Sequence, residues 1–301
     1  MDLYSYFYFL VKQIPQGMVS TYGSLARALG DIRAARACGV MLSQNPDPPN
    51  IPCHRVVMSD GSLGGFTHPE GLKKKIELLR SEGVEIENGR VKNFRKLLFE
   101  DFKTDFPLKK LREEQKKLKK RMIAGDCPIH GQVAGVDVSY SGRMAYGAMV
   151  FDDGEVVLVR RKVDFPYIPS YLAYREMPVI LELLKKRRPG VLMVDGNGIL
   201  HPRGFGLASH VGVVANIPTI GVAKTLLVGM VMNNRVIVDG EIKGIYIKSG
   251  RKRGIYISPG HCITIEKSVE IVKRYLYHRN PEPLRKAHIY ANMLRRGELE
   301  P

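Results

Sequence analysis

The chain has 301 residues, with 47 Lys and Arg against 30 Asp and Glu, for a formal net charge of +17. Its length suits two domains, and 44% hydrophobic with 26% charged residues excludes a disordered, collagenous or coiled-coil chain. No apolar run approaches the roughly 18 residues of a membrane span, and the positive surplus most economically implies a polyanionic partner, although an anionic membrane surface would serve too.

The opening Met1–Gln13 segment lacks a basic region and a small-residue cleavage pattern, so it is not expected to be a secretion signal. Cys38, Cys53, Cys127 and Cys262 form neither a disulfide framework nor a zinc spacing, which points to a reduced, cytoplasmic protein. Ser20 or Thr21 is placed to cap a helix over Tyr22–Leu29 that Gly30 closes. Asp31 then caps a second helix, Ile32–Leu42, and the pair reads as a helix-turn-helix. Ala34, Ala35, Ala37, Cys38 and Gly39 give the second helix a slim surface, suited to a packed neighbour or a nucleic-acid groove. The proline-rich Asn45–Pro52 stretch is neither helix nor central strand, and it delivers the chain to Cys53-His54-Arg55. A lone cysteine is most often an inert buried thiol. Here His54 and Arg55 are neighbouring groups that favour a thiolate, and Glu82, beyond the amphipathic helix Leu72–Leu79, offers a carboxylate to orient an imidazole.

The string Ile51–Val57, with Gly17–Ala26 and Ala34–Ala37 before it, resembles the active-site domain of O6-alkylguanine-DNA alkyltransferases, over roughly residues 4–98. The resemblance implies a winged-helix-like helix-turn-helix domain bound to double-stranded DNA. It makes Cys53 the acceptor of the guanine O6 alkyl group, once and irreversibly, with His54, through a water, and Glu82 as the relay that forms the thiolate. Arg36 would replace the flipped base in the duplex, Tyr22 would polarise the base or push on its phosphate, Asn45 would brace the loop, and Arg55 would contact DNA. Flipping costs least at a damaged pair, which adds selectivity. Phe66 stands where an aromatic hydroxyl is common and the Thr67–Gly71 loop is slightly long, which leaves the range of alkyl groups open.

Glu100–Pro107 marks the domain boundary: 1–101 for the first domain, 102–106 as linker, 107–301 for the second. Residues 1–101 carry a net +2, residues 102–125 a net +6 and residues 126–301 a net +9. A helix over Pro107–Ile123 puts Leu108, Leu111, Gln115, Leu118 and Met122 on one stripe, with lysines elsewhere; such a charge run is most often a solvated face. Three strands follow, within 132–140, 144–152 and 156–165. Then come a helix over Ser170–Arg187, a strand Val191–Asp195, a helix near Phe205–Asn216, a strand Thr219–Lys224, a hairpin of Ile242–Lys248 with Gly254–Ile257, and two basic helices. This order predicts an α/β domain, a mixed sheet with helices on its faces. Asp137 interrupts an apolar strand, Asp195 ends another, and Glu176 shares a helix face with Leu172, Ile180 and Leu184. Any one of them fits a salt-bridged core. All three together, each costing several kcal/mol to desolvate unpaired, suit an oxygen-ligated Mg²⁺. Pro178 is expected to kink or restart its helix.

Gly135–Tyr140, Pro166–Glu176, Val194–Gly212, Thr219–Lys224, Ser258–His261 and Pro283–His288 resemble, in order, the motifs of endonuclease V, a metal-dependent nuclease with an RNase H-like fold. The resemblance covers about residues 107–297. It implies Asp137, Glu176 and Asp195 as Mg²⁺ ligands, with Mn²⁺ able to substitute, and Tyr167, Ile168 and Pro169 as a strand-separating wedge. Lys224 and His261 would face the scissile phosphate or the metal-bound water, and His201 and Arg203 would contact the DNA backbone or order the site. The implied reaction cuts a phosphodiester 3′ to a deaminated base, deoxyinosine above all, with uracil and xanthine as related substrates. Ser170 and Asn197 depart from the usual Gly and His. The leading reading is a fusion of two DNA-repair activities with no obligate protein partner. Its competitors make the first domain a lesion-binding module only, or direct the nuclease to inosine in RNA.

Overall fold

The computed structural model describes residues 1–48, 50–249 and 254–301. Its chain separates into two compact units, Met1–Glu113 with Asp164–Pro169, and Glu114–Val163 with Ser170–Pro301. Among the described residues no helix is long and apolar enough to cross a membrane.

The first unit begins with α1 (Leu3–Lys12), capped by Asp2, whose Oδ1 accepts from the backbone N–H groups of Tyr4 and Ser5. Leu3, Tyr4, Phe7, Leu10 and Val11 bury its apolar face, so the opening segment is a core helix. Next come β1 (Ser20–Thr21), α2 (Tyr22–Leu29), α3 (Ala35–Ser43), β2 (Val56–Val57), α4 (Gly71–Ser81), the hairpin β3 (Ile86–Glu87) with β4 (Arg90–Val91), and the short α5 (Phe94–Leu97). Of the two candidate caps, Thr21 accepts from the Ser24 N–H, and Gly30 closes α2 at φ +102°, as a C-cap glycine should. The second helix begins later than expected, after a 3₁₀ turn over Ile32–Ala34 that Asp31 caps. Val19, Val57, Leu63, Leu79, Val84 and Val91 close a core beneath the parallel β1–β2 pair and the β3–β4 hairpin.

Residues 102–106 are not a free linker. Phe102 is buried, Gln13 Nε2 donates to the Lys103 carbonyl, and Thr104 Oγ1 donates to the Ala28 carbonyl, so these residues pack inside the first unit. The division falls instead within α6 (Pro107–Lys119), which ends four residues earlier than expected.

The second unit holds β5 (Val133–Ser141), β6 (Met144–Phe151), β7 (Val156–Lys162), α7 (Leu172–Lys186), β8 (Val191–Asp195), α8 (Leu207–Ala215), β9 (Thr219–Ala223), β10 (Met230–Met232), β11 (Arg235–Val238), β12 (Glu241–Ile247), β13 (Ile255–His261), α9 (Ile265–Arg274) and α10 (Glu282–Arg296). Among the described residues, strands β5–β13 form one nine-stranded mixed sheet in the order β10-β11-β12-β13-β9-β8-β5-β6-β7. β5, β8 and β9 run parallel at its centre. One face packs Val136, Val138, Leu183 and Val211 beneath α7 and α8; the other packs Met193, Ile220, Ile271 and Leu284 beneath α9 and α10. Gly135 lets α10 approach: a Cβ there would lie 2.4 Å from the Leu284 nitrogen. α7 continues through Pro178 without restarting.

The expectation of four free cysteines is overturned. Cys127 and Cys262 form a disulfide across a separation of 135 residues, too far apart for local spacing to reveal. Cys38 and Cys53 are free.

Candidate active sites

Cys53 starts a 3₁₀ turn directly after Pro52, and its N–H donates to the Ile51 carbonyl at 2.7 Å. Asn45 braces this loop at both ends of its amide: Nδ2 donates to the same carbonyl at 2.9 Å, and Oδ1 accepts from the Asp47 N–H at 3.0 Å. The thiol opens on a pocket of about 240 Å³ lined by Tyr22, Asn45, Phe66, Thr67 and His68 among others. That is below the roughly 300–1,000 Å³ typical of drug-sized ligands and suits one small planar group. Arg36 is exposed on α3.

His54 is buried, with Nε2 2.8 Å from Glu82 Oε1. Burial holds its pKa below the ordinary imidazole value, against the pull of Glu82, so the ring is neutral at neutral pH. Burial opposes ionisation of Glu82, but hydrogen bonds from Arg55 and His54 outweigh it and keep the carboxyl below its usual range. Arg55, expected to contact DNA, is turned inward. Its Nε and one terminal nitrogen donate to Glu82 and the other donates to the Ile14 carbonyl at 2.7 Å. A guanidinium held on both sides orients the carboxylate and has little reach for a phosphate.

Lys75 was not singled out by sequence. It is fully buried on α4, and its ammonium donates to the Val56 carbonyl at 2.7 Å and to that of Leu63, 5.9 Å from the centre of the Phe66 ring. Burial lowers its pKa to about 8, and the nearby Cys53 opposes that shift. Lys73-Lys74-Lys75 looks like a solvated run, yet Lys75 lies on the stripe of Leu72, Ile76 and Leu79, where a charge needs an internal partner.

In the second unit, Val136 pairs with Val194 in the parallel β5–β8 register, which sets Asp137 beside Asp195. Asp137, Asp195 and His288 place their ligand atoms within 4.8 Å of one another. His288, the last residue of the Pro283–His288 motif, is not among the residues the sequence points to as ligands. It stands on α10, with Nδ1 2.7 Å from Asp137 Oδ2, and that hydrogen bond raises its pKa. Glu176, on α7, is driven well above a normal carboxylate pKa by burial and then by the charges of Asp137 and Asp195. Asp195 is raised by burial and then by the charge of Asp137, opposed by Lys224, whose Nζ contacts its Oδ2. Carboxylates so reluctant to share one place fit a divalent cation, the charge that would relieve all of them.

The other expected residues lie elsewhere. His261 pairs with Thr219 at the start of β9, whereas Asp195 pairs with Val222. Three residues of strand, about 10 Å, and two strand spacings separate His261 from the carboxylates. Its Nδ1 accepts from the Ile123 N–H at 3.2 Å, and its other nitrogen lies 3.4 Å from Cys262 Sγ. Arg203 donates to Gln115 Oε1 at 2.7 Å and to Ser170 Oγ at 2.9 Å, with its guanidinium 4.4 Å above the Tyr171 ring. It orders the loop and is not presented to a phosphate. His201 is buried, accepts from the Arg203 N–H, and walls a separate cleft of about 760 Å³. Of the expected wedge, Tyr167 is 60% exposed and Pro169 is exposed, but Ile168 is fully buried and does not reach solvent. Ser170 adopts φ +67°, the left-handed conformation that explains why Gly is usual there. His210 is fully buried between Tyr174 and Phe205, and burial lowers its pKa to about 4.

A helix-turn-helix unit presenting a cysteine and a mixed-sheet unit with converging carboxylates define a protein with two enzymatic sites. The Endonuclease V family matches residues 113–289, and the DNA-binding domain of 6-O-methylguanine DNA methyltransferase matches residues 2–84. The bifunctional methyltransferase/endonuclease of Picrophilus torridus is 46% identical over 99% of both chains, and that of Thermoplasma volcanium 42% identical over 91% of this chain and 84% of its own. The catalytic domain of human endonuclease V superposes with a TM-score of 0.57 at 31% identity, over 64% of this chain and 98% of that one. Ciona intestinalis endonuclease V, in complex with a DNA containing an inosine followed by a ribo-adenosine, gives 0.58 at 28% identity, over 65% and 100%. The chain belongs to the endonuclease V family, in the bifunctional form that joins a methyltransferase to the endonuclease. It is therefore a DNA-repair enzyme with an alkyltransferase half and a nuclease half.

Proposed function

We propose that the first unit transfers the alkyl group of O6-alkylguanine in double-stranded DNA to Cys53, and that the second hydrolyses the phosphodiester 3′ to a deaminated base such as deoxyinosine, with Mg²⁺ as the preferred ion. The observation that carries the first half is the free thiol on a small pocket, beside a His54–Glu82–Arg55 network that keeps His54 neutral and oriented. Neutral His54 takes the proton that leaves the thiol, through a water, and Glu82 stabilises the resulting imidazolium.

The second half rests on the ligand atoms of Asp137, Asp195 and His288 lying within 4.8 Å of one another, with Glu176 and Asp195 both held above the usual carboxylate range beside them. Asp137, Asp195 and Glu176 would hold the cation, with His288 as a further ligand or as the group that orients Asp137. Bound there, a divalent cation supplies Lewis-acid charge stabilisation and a more acidic water. Lys224, whose Nζ contacts Asp195 Oδ2, would supply positive charge to the anionic phosphate oxygens of an in-line attack by water.

Nicking of a deoxyinosine oligonucleotide should require Mg²⁺ or Mn²⁺, stop with chelator, and place the cut 3′ to the lesion. His288→Ala should weaken metal affinity about 10- to 100-fold. Unchanged metal affinity in that variant would remove His288 from the site, and faster cleavage of a matched inosine RNA strand would redirect the nuclease to RNA.

A further inference from the structure

The wall of the Cys53 pocket contains a side chain with no part in the chemistry described above. His68 lies on the loop between β2 and α4, and its ring stacks parallel to that of Phe66, with centroids 6.0 Å apart and planes 16° from parallel. Its Nδ1 accepts the Glu70 backbone N–H at 3.2 Å. A ring nitrogen that accepts a backbone N–H carries no proton, so in the neutral ring the hydrogen sits on Nε2. The ring is thus a hydrogen-bond donor fixed in tautomer and in plane, on a loop that walls the pocket into which the thiol opens.

The leaving group requires such a donor. As the S–C bond forms and the C–O6 bond breaks, the electron pair of that bond stays on the base, so negative charge builds on O6 and across the purine ring. The base becomes neutral guanine by taking one proton at N1, equal to the proton the Cys53 thiol gave up. Until then the anion needs a donor placed before the reaction begins. Tyr22 and Thr67 bring hydroxyls to the same pocket, whereas Asn45 has both ends of its amide engaged and Ser43 Oγ donates to the Val40 carbonyl. Phe66 forms the aromatic wall but carries no polar atom.

We infer that His68 is a catalytic residue of the alkyl transfer, donating a hydrogen bond from Nε2 to the guanine leaving group. The inference rests on the alkyl-transfer reading above and adds to that site a leaving-group donor from the loop before α4. It makes the reaction depend on His68 only where the departing group is a base, and not where the thiolate meets another electrophile.

The test uses the full chain and two reagents. One is a duplex oligonucleotide carrying O6-methylguanine; the other is iodoacetamide, whose departing iodide needs no donor. Single-turnover methylation of Cys53 should slow at least tenfold in His68→Ala, with duplex affinity and the iodoacetamide rate unchanged. His68→Gln, which keeps an N–H donor, should recover most of the loss. A wild-type methylation rate in His68→Ala would overturn the inference. An equal slowing with both reagents would overturn it as well, because His68 would then act on the thiol. If the unaltered chain alkylates with iodoacetamide but not with the oligonucleotide, the alkyl-transfer reading itself fails and takes the inference with it.

Discussion

Lys75 shows how much one side chain can settle. A fully buried ammonium is costly unless its hydrogens are taken, and here two carbonyls, of Val56 and Leu63, take them. Lys75 thereby fastens α4 to the strand that follows Cys53 and to the loop that leads to the pocket wall. Its pKa of about 8 in the folded chain lies below the ordinary 10.5. The unfolded chain therefore binds more protons between those values, and the contribution of Lys75 to stability rises with pH across that window. Denaturant titrations of the native chain and of Lys75→Met should diverge from pH 8 to 10.5, the native chain gaining on the order of 3 kcal/mol relative to the variant. Parallel curves would show that Lys75 is not titrating in the fold. Glu82 is a second point of leverage. Glu82→Gln leaves the Arg55 guanidinium largely buried with its charge unopposed, so the first unit should lose about 3 kcal/mol in chemical denaturation.

At the scale of elements, the sheet of the second unit depends on close approaches that glycine permits. Gly135→Ala puts a methyl 2.4 Å from the Leu284 backbone nitrogen, a clash no rotamer relieves. The variant should be destabilised by about 3 kcal/mol, and wild-type stability would mean that α10 does not sit on β5. This tests placement of the site, because α10 carries His288 onto Asp137. The central strands were legible in the sequence because buried parallel strands read as apolar runs, and Val133–Val138 and Val191–Val194 are such runs. β10 and β11 were not legible: Met230, Val231 and Met232 are exposed at the edge and lack the alternation that marks a half-buried strand. The carboxylates announced themselves as charges inside apolar patterns, whereas His288 sits on an amphipathic helix where a histidine looks ordinary. His261 misled in the other direction, since a Gly-His pair at a strand end carries no sign of which end of the sheet it occupies.

Over the whole molecule, one cross-link and two sites have to be accounted for. The Cys127–Cys262 disulfide spans 135 residues, and beside it Cys127 N–H donates to the Cys262 carbonyl, Cys262 N–H to the Ile123 carbonyl, and Thr264 N–H to Asp126 Oδ1. The segment after α6 is thus sewn to the end of β13. A loop of that length predicts about 5 kcal/mol from chain entropy. Reduction, or Cys127→Ser, should lower the melting temperature of the nuclease unit by roughly 10 °C, and a melting curve indifferent to reductant would show that the cross-link contributes nothing in solution.

We assign the two chemistries to separate sites in one chain, one built on Cys53 and the other on Asp137, Asp195 and Glu176. Both reactions can be measured in both single variants: methyl transfer from O6-methylguanine DNA and Mg²⁺-dependent nicking of deoxyinosine DNA. Cys53→Ala should abolish methyl transfer and leave nicking at the wild-type rate, while Asp137→Ala should abolish nicking and leave methyl transfer intact. Loss of both activities from either substitution would contradict two independent sites.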